Sequence, residues 1–475
     1  MLGEIKMKME RFKKYIGDKA FYKIAFAIIV PVVIQQMILQ IAGFVDNLMI
    51  NGYSINAYAG VSTANRFMFI INFFWIGISA GISVFVAQYY GARNRKNIMG
   101  TIQLGLILAL VLGIASSFII YFLGPILIKS FLPLNDADQL EAVRFGVEYV
   151  RVIGYGATVF LMSFIVSTIF RSVGRAKVPL LSGVIGIIIN VSLNLVLIYG
   201  YLGFPAMGAM GAAWATLISK IVELIILIVI AVFYSSENYA RDLFKRFCIT
   251  TRLFVMYLKK GTPIVLNEIL WAFAMVLYAK YITSGILDWV TAYGYSQTAT
   301  DIFFVYYAGM ATATGVLIGQ ALGEGNFEKA KDYLSKLRGI MMVTNIGVMI
   351  FIAGLSPLLL LVLTPVNHLF WLAYQLILIN LLFIVIYGYN AMSYYTLRAG
   401  GDSLRSFLLD QLPTYLVGLP LVILLSTMRI EWGVGILAIF LASKSTDIVK
   451  LYFSIRIIKK ETWLNNLTEE DLETA

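Results

Sequence analysis

Four carboxylates in this sequence stand in stretches that carry no other charge: Asp46 in IAGFVDNLMI, Glu268 in VLNEILW, Asp301 in SQTATDIFF and Asp410 in FLLDQL. A charged side chain in hydrocarbon costs roughly 2.5–3.5 kcal/mol on insertion scales, so each is a candidate for work that needs a charge there. A lone carboxylate can take up and release a proton, or hold a hard cation such as Na+. Asp46 is the first candidate, because no cation lies one helical turn from it. Asn190 and Asn194 are four residues apart, hence on one face of a helix. They suit donation to Asp46, an oxygen site for Na+, or plain amide bonding between helices. Glu268 follows Pro263, which frees a backbone carbonyl and so adds an oxygen for a cation. Asp301 sits at mid-depth with Gln297 one turn away, and Asp410 sits near an inner helix end, where Arg405 is the expected anchor. Gln36, in the Asp46 helix, completes the set. Lys220 with Glu223 and Lys444 with Asp447 are spaced i, i+3 with opposite signs and are expected to neutralise one another.

The elements that hold these residues are long apolar runs. Of 475 residues 60% are apolar and 13% charged, far from the roughly 25% charged of a soluble domain, which excludes a large soluble enzyme. Runs at 25–50, 60–89, 98–123, 143–168, 179–200, 207–232, 262–284, 290–319, 337–363, 369–394, 404–427 and 431–457 are each long enough to cross a bilayer as a helix. Period-two alternation is absent, so a β-barrel does not compete. The fold expected is an all-α polytopic membrane protein with twelve transmembrane helices. Lys and Arg collect in alternate loops, among them Arg93, Arg95 and Lys96; Arg171, Arg175 and Lys177; Lys329 and Lys331; Arg398 and Arg405. That asymmetry places both termini and the basic loops in the cytoplasm of a cell-membrane protein, and it accounts for the net charge of +11 without nucleic acid.

The most charged internal stretch, 233–261, divides the chain into a segment 1–24, a six-helix bundle 25–232, a cytoplasmic linker, a second bundle 262–457 and a tail 458–475. Pro31 and Pro263, Gln36 and Glu268, Gln88 and Gln320, Gly91 and Gly323, and Asn94 and Asn326 match at one offset of 232 residues. Arg171 and Gly174 of RSVGR echo Arg398 and Gly401 of RAGGD at an offset of 227. An even number of spans per half makes the two six-helix bundles parallel repeats, an arrangement suited to alternating access by rocking.

PVVIQQMILQIAGFVDNLMI, GISVFVAQYYGARN, the long stretch from FRSVGRAKVPLL to GAAWATLIS, and GVLIGQALGEGNFEKA together resemble the multidrug and toxic compound extrusion (MATE) family. The resemblance covers nearly the whole chain and implies that Asp46 belongs to the cation-handling cavity of the first half. Some members with that aspartate carry a second one where Asn194 stands; here the amide leaves a one-carboxylate site. An essential helix 7 glutamate in some members corresponds approximately to Glu268.

The function expected is therefore secondary active efflux of amphipathic organic cations in exchange for H+ or Na+, by a protein acting as a monomer among membrane lipids. The 31 Phe, 28 Tyr and 18 Met offer adaptable faces for flat cations. No GxxxxGK[ST] occurs, so ATP is not the expected driver, and no cofactor beyond the coupling ion is expected. Cys248 and His368 are single, which leaves no disulfide, no His-based metal centre and no catalytic cluster. The alternative is a flippase for a lipid-linked saccharide, which would need cations inside the cavity, whereas the unpaired membrane charge in the sequence is mostly acidic.

Overall fold

The computed structural model describes residues 13–131, 136–234, 239–243, 245–363 and 367–469, and among these the regular structure is helical with no strand. The long helices are α1 (Lys19–Tyr53), α2 (Ile55–Gly91), α3 (Arg95–Phe131), α4 (Ala137–Ser172), α5 (Lys177–Tyr199) and α6 (Gly208–Phe233) in the first half. In the second half they are α7 (Thr251–Thr283), α8 (Leu287–Gly323), α9 (Phe327–Leu363) and α10 (Asn367–Ala399). The eleventh, α11, runs as Ser403–Pro413, a wider turn Thr414–Gly418 and Leu419–Thr427; the twelfth, α12, is Ile436–Ser443 followed by Ser445–Lys459. Ten of these are long and apolar enough to span a membrane, and α8, bent by 43° between Leu287–Asp301 and Val305–Gly323, makes an eleventh. The broken α12 falls short because Lys444, Asp447 and Lys450 interrupt its apolar run. The chain is a multi-pass membrane protein of twelve helices in two bundles.

Most helices outrun their apolar stretches, since polar residues extend the helix into the interface. The largest difference is α7, whose start at Thr251 takes up residues 251–261 of the stretch expected as linker. The rest of that stretch is held down too: the Gln103 amide of α3 donates to the carbonyls of Leu243 and Arg246 and accepts from the Cys248 N–H at 2.7 Å.

Helix ends repeat between the halves. Asn94 caps α3 by accepting from the Asn97 N–H, and its equivalent Asn326 caps α9 by accepting from the Lys329 N–H. The residue before each cap has positive φ, 53° at Arg93 and 72° at Gly325, the left-handed turn that separates two helices.

Contacts divide the chain into two compact units. One holds Pro31–Val86 and Asn94–Gly261; the other holds the residues up to Val30, Ala87–Arg93 and those from Thr262 onward. The borders thus fall inside α1, α2 and α7, and in α1 and α7 they fall at or beside Pro31 and Pro263. The first unit has a core of Ile50, Val61, Phe145 and Ile198, and the second a larger one that includes Tyr278, Leu376, Val422 and Phe440. Large apolar residues left exposed form helical stripes, such as Ile107, Leu110, Val111, Ile114, Phe118 and Phe122 on α3, which is the surface a lipid-facing helix presents. In the second unit the C-terminal ends of α2 and α8 cross reciprocally. Gly91 lies on the backbone of Gln320 and Gly323 on that of Gln88, so close that a Cβ at either would strike a carbonyl oxygen.

Candidate functional site

In the first unit α1, α5 and α6 bring polar residues together. Asp46 is half-buried on α1, one turn before Ile50 of the core. Tyr199, the last residue of α5, donates to the carbonyl of Met49 at 2.8 Å and so fixes this part of α1 against α5. The fully buried Asn194 donates through Nδ2 to Asp46 Oδ1 at 2.5 Å and, more weakly, to Asn190 Oδ1 at 3.4 Å. Asn190 Nδ2 donates to Thr216 Oγ1 of α6 at 3.3 Å, and that hydroxyl donates to the Ala212 carbonyl. The chain of bonds leaves one atom over: the buried Asn194 Oδ1 has no partner among the described residues. Tyr149 of α4 is close enough to feel the Asp46 charge. The expected grouping of Asp46, Asn190 and Asn194 is therefore one hydrogen-bonded cluster.

Gln36 does not join it. Gln36 is partly exposed, and its neighbour Gln35 is the buried amide, donating to the Pro179 carbonyl at 3.1 Å and accepting from Arg171 at 3.5 Å. Arg171 also donates to Thr168 Oγ1 at 2.8 Å, which turns a charge assigned to a cytoplasmic loop back into the bundle. Lys220 and Glu223 pair at 2.7 Å, as their spacing requires.

In the second unit the acidic residues separate into different environments. Glu268 is not unpaired: Arg398, in the last turn of α10, donates to it at 2.7 Å, with both side chains about 15% exposed. Asp410 is anchored by Lys450 of α12 at 2.7 Å rather than by Arg405, which pairs with Asp402. Asn267 and Gln411 each donate to the other Asp410 oxygen at 3.0 Å, so this buried carboxylate is fully engaged. Asp301 is exposed and makes no hydrogen bond or ion pair with described residues. Lys444 and Asp447 do not form the expected ion pair; Lys444 stands at the junction of the two α12 segments, with its ammonium over the Phe440 ring at 5.0 Å.

A family model described as MatE matches residues 31–196 and again 263–424, most of both halves. The chain belongs to the MATE family. Among curated MATE-like relatives, the probable multidrug resistance protein YoeA of Bacillus subtilis is 22% identical over 454 residues, covering 93% of this chain and 95% of YoeA. The probable multidrug resistance protein NorM of Listeria monocytogenes is 30% identical over 189 residues, 40% of each chain. Solved structures give the same fold. A MOP superfamily transporter from Pyrococcus furiosus covers 94% of this chain and 97% of its own at 22% identity and a TM-score of 0.81. An outward-facing multidrug resistance MATE family transporter aligns with the same TM-score and identity over 94% and 98%.

Within this MATE chain the partners that residue patterns missed are Gln35, Arg171, Arg398 and Lys450. A signal for two of them was present: Arg171 and Arg398 are repeat equivalents, and each reaches back to helix 1 or helix 7 of its own half. The residue met differs. Arg171 finds the Gln35 amide, whereas Arg398 finds the Glu268 carboxylate, the repeat equivalent of Gln36.

Proposed function

We propose that this MATE protein is a secondary active multidrug efflux transporter that exchanges amphipathic organic cations for H+ or Na+, with Asp46 as the coupling carboxylate. One observation carries the proposal: beside the half-buried Asp46 carboxylate, the buried Asn194 Oδ1 lacks a donor. The cluster has one acceptor that no donor among the described residues meets. A proton on Asp46 supplies the missing donor once the Asn194 amide turns over, and Na+ supplies a charge that both oxygens can coordinate. Either ion therefore stabilises an arrangement that the bare carboxylate does not.

Exchange follows from competition. An organic cation near Asp46 is attracted by the same single negative charge that an H+ or Na+ would neutralise, so occupancy by one disfavours the other. Alternating access needs the units to move, and their borders within α1 and α7 coincide with Pro31 and Pro263. A proline removes one backbone hydrogen bond from the helix and so marks a place where it bends at least cost. The basic inner loops support an orientation with both termini in the cytoplasm of a cell membrane. The names of the relatives, multidrug resistance proteins in two cases, support the substrate class, and the acidic rather than basic character of the unpaired Asp46 supports it over a lipid-linked saccharide.

Purified protein in liposomes loaded with ethidium tests this reading. An imposed pH or Na+ gradient should drive dye movement against its own gradient. If neither gradient moves any cationic dye, while a lipid pyrophosphate binds, the flippase reading replaces it.

A further inference from the structure

The second unit holds a partly open cavity of about 150 Å³ bounded by α7, α8, α10, α11 and α12. It lies in a different unit from Asp46 and takes no part in the coupling described above. One wall is aromatic, with Trp271, Tyr278, Tyr293 and Phe440; the other carries Lys444, Asp447 and Lys450 of α12.

The charges on that wall are of two kinds. Lys450 is committed to Asp410 at 2.7 Å, and the two form a closed, neutral pair. Asp447 and Lys444 are left. Asp447 is 8% exposed, yet no described residue donates a hydrogen bond to its carboxylate; only its backbone carbonyl is used, by Asn390 Nδ2 at 2.9 Å. The Lys444 ammonium lies over the Phe440 ring at 5.0 Å and has no ion pair among the described residues. Lys444 and Asp447, one at the junction of the two α12 segments and one in the second, thus both line a single cavity without forming an ion pair with each other.

Charge and size select what fits. Asp410, Asp447, Lys444 and Lys450 sum to zero, so a purely cationic or purely anionic guest would leave a net charge in a low-dielectric interior, where an uncompensated ion is costly. A guest with both charges leaves the site neutral and pairs both free groups. A cavity of this volume is of the size that takes a benzene-like guest, below the roughly 300–1,000 Å³ of drug-sized pockets. We propose that this cavity binds a small zwitterion of amino-acid size, its ammonium on Asp447 beside the aromatic wall and its carboxylate on Lys444.

Three probes with the same four-carbon chain decide the matter: γ-aminobutyrate, n-butylamine and butyrate, each titrated into purified full-length protein and followed by equilibrium dialysis. The zwitterion should bind saturably and at least about tenfold more tightly than either single-charge analogue, a difference of about 1.4 kcal/mol. Lys444→Gln should abolish the advantage of γ-aminobutyrate over butylamine, and Asp447→Asn its advantage over butyrate. Equal binding of butylamine or butyrate to the wild type overturns the proposal, as does the absence of saturable γ-aminobutyrate binding. The wild-type comparison stands whether or not the variants fold. Where they do fold, unchanged γ-aminobutyrate affinity in both also overturns it.

Discussion

Asn194 donates to Asp46 across 2.5 Å while the other atom of the same amide, Oδ1, is buried without a partner. The pair joins α5 to α1, so any change in what Asp46 binds is felt by two helices at once. Asn190 and Thr216 extend the connection to α6. A single carboxylate is thereby tied to three of the six helices of its bundle, which gives ion binding a route to helix position.

Replacing Asn194 with Leu removes the one donor to Asp46 among the described residues and leaves the carboxylate short of a partner. The loss of such a bond to a charged group costs about 1–3 kcal/mol. We expect gradient-driven dye transport to fall about tenfold or more, with protein yield and helical content retained, as measured in liposomes and by circular dichroism.

Glu268 and Arg398 form a largely buried ion pair whose rupture should be costly to folding. Arg398→Gln leaves Glu268 without its cation and should destabilise the protein by about 3–5 kcal/mol, because a poorly solvated charge is left alone. The double variant Arg398→Gln with Glu268→Gln should recover most of the loss. Thermal melting of the wild type, Arg398→Gln, Glu268→Gln and the double variant in detergent measures the coupling directly.

The reciprocal crossing of α2 and α8 leaves no room for a side chain at Gly91 or Gly323. Gly91→Val and Gly323→Val should each reduce the yield of monodisperse protein severely. Gly294, where a Cβ meets nothing nearby, should accept Ala with no such effect. Size-exclusion profiles of the three variants distinguish a tight crossing from general intolerance to substitution.

Asp242, outside the spans, receives a hydrogen bond from Lys245 at 2.9 Å and an ion pair from Arg95 at 2.6 Å. The Lys245 bond, then the neighbouring cations, hold its carboxyl below the usual carboxylate range. A folded-state value depressed below the unfolded one stabilises above the ordinary range and is lost as pH falls through the lowered value. Amide protection at 242, 243, 245 and 246, corrected for intrinsic exchange, should therefore hold from neutral pH into the ordinary carboxylate range and decline only below it. In Asp242→Asn it should be weaker at neutral pH and lack that acid decline.

Much of this architecture is legible before any coordinates. Spans follow from the apolar runs, and the offset of 232 residues picks out Gln88, Gly91, Gln320 and Gly323, the residues that touch at the crossing. The Asp46, Asn190 and Asn194 cluster is legible for a similar reason, since i, i+4 spacing fixes a shared face. What escapes is set by geometry finer than spacing. Gln35 and Gln36 differ by one step around a helix that is apolar on all sides, so nothing in α1 says which amide points inward. Arg398 reads as a loop charge until α10 is seen to continue to Ala399, which carries the guanidinium back to Glu268. Lys444 turns to the Phe440 ring instead of pairing with Asp447, a choice between two neighbours on one helix that spacing alone does not decide.

The central claim is that Asp46 couples an ion to transport. The most direct measurement compares two activities of Asp46→Asn in liposomes: dye accumulation driven by an imposed pH or Na+ gradient, and dye movement down its own gradient. The account predicts that the first is lost to background while the second persists at a measurable rate, because the path remains and only the ion carrier is gone. Gradient-driven accumulation by Asp46→Asn at the wild-type rate would contradict it.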